Sequence, residues 1–102
     1  MIVVEGWARL APGEAAKFHA AARKMAEETR KEAGCLEYAF SQDLIDPDLV
    51  RVIERWQDEA ALTAHFATPH MAAFNAALSN AKLVGASVKA YKAEFLRTLA
   101  GS

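Results

Sequence analysis

GCLEYAFSQDLIDPDLVRVIERW, residues 34–56, is the stretch on which the fold turns. Two runs rich in β-branched and aromatic residues, Cys35 to Asp43 and Asp48 to Trp56, flank Leu44-Ile45-Asp46-Pro47, and the Asp-Pro step there favours a turn. The pair predicts a β-hairpin. Gly34, just before it, suits the left-handed conformation that ends a helix. Asp58, just after it, suits a helix N-cap.

Working outward towards the N-terminus, residues Glu14 to Ala33 repeat small or apolar side chains at intervals of three and four (Ala15, Phe18, Ala22, Met25, Thr29). Lys17, Lys24, Glu28 and Lys31 fall elsewhere on the wheel, so the segment predicts a long amphipathic helix with Pro12 near its first turn. Ile2 to Leu10, with Ile2, Val3, Val4 and Trp7, reads as a strand stopped by Ala11-Pro12-Gly13. Towards the C-terminus, Asp58 caps Glu59 to Ala67, and Thr68-Pro69 caps a second segment from Pro69 to about Asn80, because proline is tolerated only at the start of a helix. Two short helices meeting at a kink follow. Ser87 to Leu96, with Val88, Tyr91, Phe95 and Leu96, is the expected last strand. The order β-α-β-β-α-β predicts an α+β fold: a ferredoxin-like antiparallel sheet of the split βαβ type.

Alternation along the strands carries a message about assembly. Tyr38 and Phe40 share a face with Leu36; Val50, Val52, Glu54 and Trp56 share one opposite Leu49, Arg51, Ile53 and Arg55; Val3, Glu5, Trp7 and Arg9 alternate with Ile2, Val4, Gly6, Ala8 and Leu10. Large side chains thus lie on both faces, whereas helices on one face cover only that one. A bare apolar face in a protein usually marks an interface, and a homodimer is the expectation.

At 102 residues the chain has room for one core. A single domain over residues 1–98 with a short tail at 99–102 is expected. The twelve basic and thirteen acidic residues are interspersed, with no basic run to track a phosphate backbone, which argues against nucleic acid as a partner. Apolar stretches fall far short of the ~20 residues that span a bilayer, so no membrane is expected either. The N-terminus has no basic region and meets Glu5 at once, unlike a signal peptide. Cys35 is the only cysteine, which makes the cytosol the expected compartment and a buried inert thiol the simpler reading.

The residues able to carry chemistry cluster on the third strand and after it: Glu54, Trp56, His65, His70, Phe74 and Asn75. Glu54 and Trp56 share a face with Val50 and Val52, so if that face meets the helices a carboxylate and an indole line a mostly apolar space. His65 and His70 flank the kink that would form its rim. Each has a structural reading beside the functional one: Glu54 as an ion-pair partner, Trp56 and Tyr38 as core, a histidine as a cap. A zinc site is not expected, since H-x-x-x-x-H spans a proline break and no second cysteine completes a ligand set.

Taken together, Ala33-Gly34-Cys35-Leu36-Glu37-Tyr38, Ser41-Gln42-Asp43, Asp46-Pro47, Glu54-Arg55-Trp56-Gln57-Asp58, Ala61-Leu62, His65, Thr68-Pro69-His70 and Phe74 resemble, in order and spacing, the antibiotic biosynthesis monooxygenase family. The resemblance runs over nearly the whole chain. It implies a dimeric α/β barrel, no cofactor and no metal, and a small dihydroxy-aromatic, quinol-like substrate whose anion reacts directly with dioxygen. By it His65, His70 and Glu54 become candidate catalytic residues, and Trp56, Tyr38, Phe74 and Asn75 candidate substrate contacts. Haem degradation is disfavoured, because members with that activity resemble one another in a Trp and a His where this chain offers His65 and Asn75. Two alternatives stay open: an isomerase of a small phosphorylated metabolite, suggested by the shared Thr-Pro-His segment, and a non-catalytic ligand-binding stress-response dimer.

Overall fold

The computed structural model describes Met1–Ser102. Its elements are β1 (Ile2–Leu10), α1 (Ala15–Thr29), β2 (Cys35–Gln42), β3 (Leu49–Trp56), α2 (Glu59–Phe66), α3 (Pro69–Ser79) and β4 (Leu83–Lys92). The four strands form one antiparallel sheet in the order β2-β3-β1-β4, the ferredoxin-like α+β arrangement. β1 lies in the middle, pairing with β3 from Ile2↔Trp56 to Arg9↔Leu49 and with β4 from Ile2↔Lys92 to Leu10↔Leu83. No helix is long and apolar enough to cross a membrane.

The helices cover one face. Against α1, Met25 and Ala26 pack with Ile2, Val4, Tyr38 and Trp56, while Ala15, Phe18 and Ala22 pack with Leu10 and Val50. On the other face Trp7, Ile53 and Tyr91 stand exposed among charged neighbours, including the Arg55–Glu37 ion pair. Both faces therefore carry large side chains, as the alternation predicts.

Three local expectations are corrected. The last strand runs from Leu83 to Lys92 and not from Ser87 to Leu96. β1 offers backbone partners as far as Leu10, and this pairing recruits Gly85 and Ala86 despite their weak β preference. Phe95, Leu96 and Leu99 lie beyond the sheet and are exposed. The long helix stops at Thr29, four residues short of the expected Ala33, because the chain must turn sharply into β2. Gly34 makes that turn at φ +82°, and a β-carbon on it would meet the Ala61 β-carbon at 2.6 Å. Finally, Leu36 does not share the Tyr38–Phe40 face. The register shifts between Cys35 and Glu37, and the irregularity leaves Leu36 52% exposed while Cys35 packs against the core.

Candidate functional site

Between the sheet and the two short helices lies a cavity of about 430 Å³. α3 supplies one wall through Met71, Phe74, Asn75 and Leu78, which at spacings of three, four and seven share a helix face. The sheet supplies the other through Tyr38, Phe40 and Val52. Phe18, Phe40 and Phe74 meet edge to face or tilted, with centroids 5.5–5.9 Å apart, and this triad fixes the apolar end. The polar side chains facing the cavity are few: Glu54, His65 and Asn75 stand out among mostly hydrophobic neighbours.

Glu54 is buried on β3 and accepts a 2.9 Å hydrogen bond from the Trp56 indole N–H. Its burial raises its pKa above the ordinary carboxylate value, with the Trp56 bond opposing. Burial likewise pushes the Tyr38 phenol up, so it stays a neutral donor. Trp56 is wholly buried and does not reach the cavity surface; it lies behind His65, the two rings 4.8 Å apart. The structure thus brings Glu54, His65, Tyr38, Phe74 and Asn75 onto one cavity and places Trp56 as backing for the wall.

His65 owes its position to the helix break. Asp58 Oδ1 accepts from the Ala61 N–H at 2.8 Å and starts α2; Thr68 Oγ1 accepts from the Met71 N–H at 3.2 Å and starts α3. The Thr68 hydroxyl also donates to the His65 carbonyl at 2.7 Å, tying the end of α2 to the start of α3. Across this break both imidazoles turn to the same atom: His65 Nδ1 and His70 Nε2 each lie 2.7 Å from Glu32 Oε2. His70 is not on the cavity lining; it stands outside His65, at the rim.

Glu32, in the turn after α1, is the residue that sequence reasoning missed. An acid just past a helix C-terminus is unfavourably placed against the helix dipole, and that misplacement was the available sign that something else holds it. With Nδ1 of His65 donating to the Glu32 carboxylate, Nε2 is the ring nitrogen left for the cavity, an acceptor in the neutral ring. Carboxylate, imidazole and cavity then stand in the order of a positioned general base. The three polar atoms of the cluster, one oxygen and two nitrogens, lie within 4.8 Å of one another and are also a metal-ligand set by type. A second groove, about 460 Å³, runs between α1 and β2 past His19, Arg23 and Arg30; it is more open and holds no comparable acid–base cluster.

Residues 1–77 match the family model of the antibiotic biosynthesis monooxygenases. Synechocystis protein sll1783, which has no assigned function, is 32% identical over 98 residues, covering 96% of this chain and 67% of its own. A Deinococcus radiodurans structure that carries the same family name superposes with a TM-score of 0.90 at 28% identity, covering 99% of this chain and 100% of the other. PA3566 of Pseudomonas aeruginosa superposes with a TM-score of 0.82 at 30% identity, covering 92% and 94%. With the match spanning the sheet, the cavity and the helix break alike, the chain belongs to the antibiotic biosynthesis monooxygenase family.

Proposed function

We propose that this chain is a cofactor-independent monooxygenase that oxidises a small dihydroxy-aromatic substrate with dioxygen, and that it works as a homodimer in the cytoplasm. The observation that carries the reading is His65, which lines an apolar cavity while a carboxylate holds its Nδ1. The cavity, about 430 Å³, falls in the ~300–1,000 Å³ range of small-molecule sites, and its aromatic walls suit a planar ring.

His65 Nε2 takes a phenolic proton, and the Glu32 carboxylate stabilises the resulting imidazolium. The electron-rich anion donates electrons to dioxygen and a ring carbon forms a hydroperoxide. Proton return from His65 then lets the O–O bond break with loss of water. One quinol and one dioxygen give one hydroxyquinone and one water, the substrate supplying all the electrons. Glu54, whose pKa burial raises, lies on the cavity beside the substrate oxygen, and Asn75 and Tyr38 orient it. Dimerisation is supported by Trp7, Ile53 and Tyr91 on the uncovered sheet face and by the exposed Phe95, Leu96 and Leu99.

The test is oxygen uptake with a panel of hydroquinones, with ¹⁸O₂ to follow the label. One ¹⁸O in the quinone product, and a loss of at least ~100-fold for His65→Gln, a typical general-base contribution, are expected. Uptake no faster than buffer across the panel refutes the oxygenase. Turnover of a phosphorylated substrate under strict anaerobiosis replaces it with the isomerase, and tight quinone binding without turnover with the ligand-binding dimer.

A further inference from the structure

The Glu32–His65–His70 cluster draws one donor from each of three elements: the turn after α1, the end of α2 and the first turn of α3. Two imidazole nitrogens and one carboxylate oxygen are the donor set of borderline divalent transition ions and a poor one for magnesium or calcium. Glu32 and His70 have side chains 13% and 16% exposed, so an ion from solvent reaches them without opening the core, whereas His65 is buried. The cluster carries one negative charge when both rings are neutral, which an M²⁺ ion more than compensates.

We propose that Glu32, His65 and His70 form a binding site for a divalent ion of the zinc class, coordinated through Glu32 Oε2, His65 Nδ1 and His70 Nε2. Ligand atoms around a tetrahedral ion with bonds of ~2.1 Å stand roughly 3.4 Å apart. The two 2.7 Å contacts open slightly and the nitrogens, at most 4.8 Å apart, close by about 1.4 Å at most. His70, at the rim on the first turn of α3, makes that movement. A water completes the set on the solvent side.

Coordination has a consequence at the cavity. In the metal-free protein the His65 proton sits on Nδ1 and Nε2 accepts; an ion on Nδ1 moves that proton to Nε2, which then donates. The ion therefore acts as an off-switch for the base. This consequence rests on the function proposed above, whereas binding itself does not.

The experiment uses the tag-free full chain, stripped with chelator, titrated with ZnCl₂ by calorimetry and with CoCl₂ by visible absorption; MgCl₂ is the control. One Zn²⁺ per chain, a Co²⁺ absorption band and no heat with Mg²⁺ are expected. Glu32→Gln keeps the hydrogen-bond acceptor, so its metal-free melting temperature stays near that of the parent while zinc affinity falls at least ~10-fold. His70→Ala loses affinity to the same degree. His19 is the third and last histidine and lies outside the cluster, so His19→Ala binds unchanged. Absence of a 1:1 zinc isotherm overturns the proposal, as does binding that survives both Glu32→Gln and His70→Ala or disappears with His19→Ala. Zinc binding without any oxygenase activity leaves the site standing and removes the proposed reaction; oxygenase activity without zinc binding does the reverse.

Discussion

Gly34→Ala separates two physical costs that one residue carries. At φ +82° a β-carbon meets its own backbone, which costs about 1–2 kcal/mol. The added carbon would also lie 2.6 Å from the Ala61 β-carbon, against roughly 3.5–4.0 Å for relaxed carbon contacts, so α2 must retreat by about 1 Å. Overpacking of this kind costs about 1–3 kcal/mol. The sum, about 2–5 kcal/mol, is a large fraction of the ~5–15 kcal/mol that holds a domain together. Gly13 provides the control: its φ is +79° and nothing lies within 4 Å of the β-carbon position, so Gly13→Ala carries only the backbone part. Guanidinium unfolding of both variants, with unchanged m-values, reads the difference. Ala61→Gly in the Gly34→Ala background removes the opposing carbon, and the double mutant recovers most of the steric share. Equal losses at Gly34 and Gly13, or no recovery from Ala61→Gly, refute the close-approach argument. Ala61 lies one turn before His65 on α2, so the same displacement moves the proposed base and lowers activity more than stability predicts.

Three other perturbations follow from the structure. Glu54 has its folded pKa raised by burial, so its contribution to stability is greatest at pH values below its ordinary 4.5 and declines as pH rises through the folded value; Glu54→Gln, which still accepts from Trp56, removes that decline. Urea midpoints of parent and variant should diverge in favour of the variant from pH 4.5 upward, and parallel curves sink the assignment. Phe74→Ala deletes one ring of the Phe18–Phe40–Phe74 triad; because Phe74 is half-buried, the loss by thermal unfolding is about 2–3 kcal/mol, below the ~3–5 kcal/mol of a fully buried phenylalanine, and a loss under about 1 kcal/mol contradicts its place in the core. Ile53→Lys on the uncovered sheet face should convert a dimer to a monomer by light scattering with little change in the helix-side cavity. A parent that is already monomeric, or a variant that stays dimeric, removes that face as the seam.

The order of elements was legible along the chain because each signal is local. The Asp-Pro turn between two β-rich runs and the Thr68-Pro69 restart each act on neighbouring residues, and the structure keeps both; Gly34 keeps its left-handed φ, but α1 has already ended at Thr29. The end of α1 and the start of β4 were not legible, since both answer to partners elsewhere: Ala61 crowds Gly34, and β1 extends the ladder to Leu83. Leu36 shows the same in one residue, for strict alternation cannot foresee a register shift against β3.

The site divides along the same line. From sequence alone follow the two-faced sheet, the presence of Glu54 and Trp56 on its helix side, and the pairing of His65 with His70 across a proline break, because periods of two and 3.6 report which side chains share a face. Only the tertiary structure brings Glu32 to both histidines, 33 and 38 residues away, and sets Trp56 behind His65 and off the cavity surface. Those placements come from how the helices seat on the sheet, and that packing depends on shapes summed over the whole core, which no local period encodes.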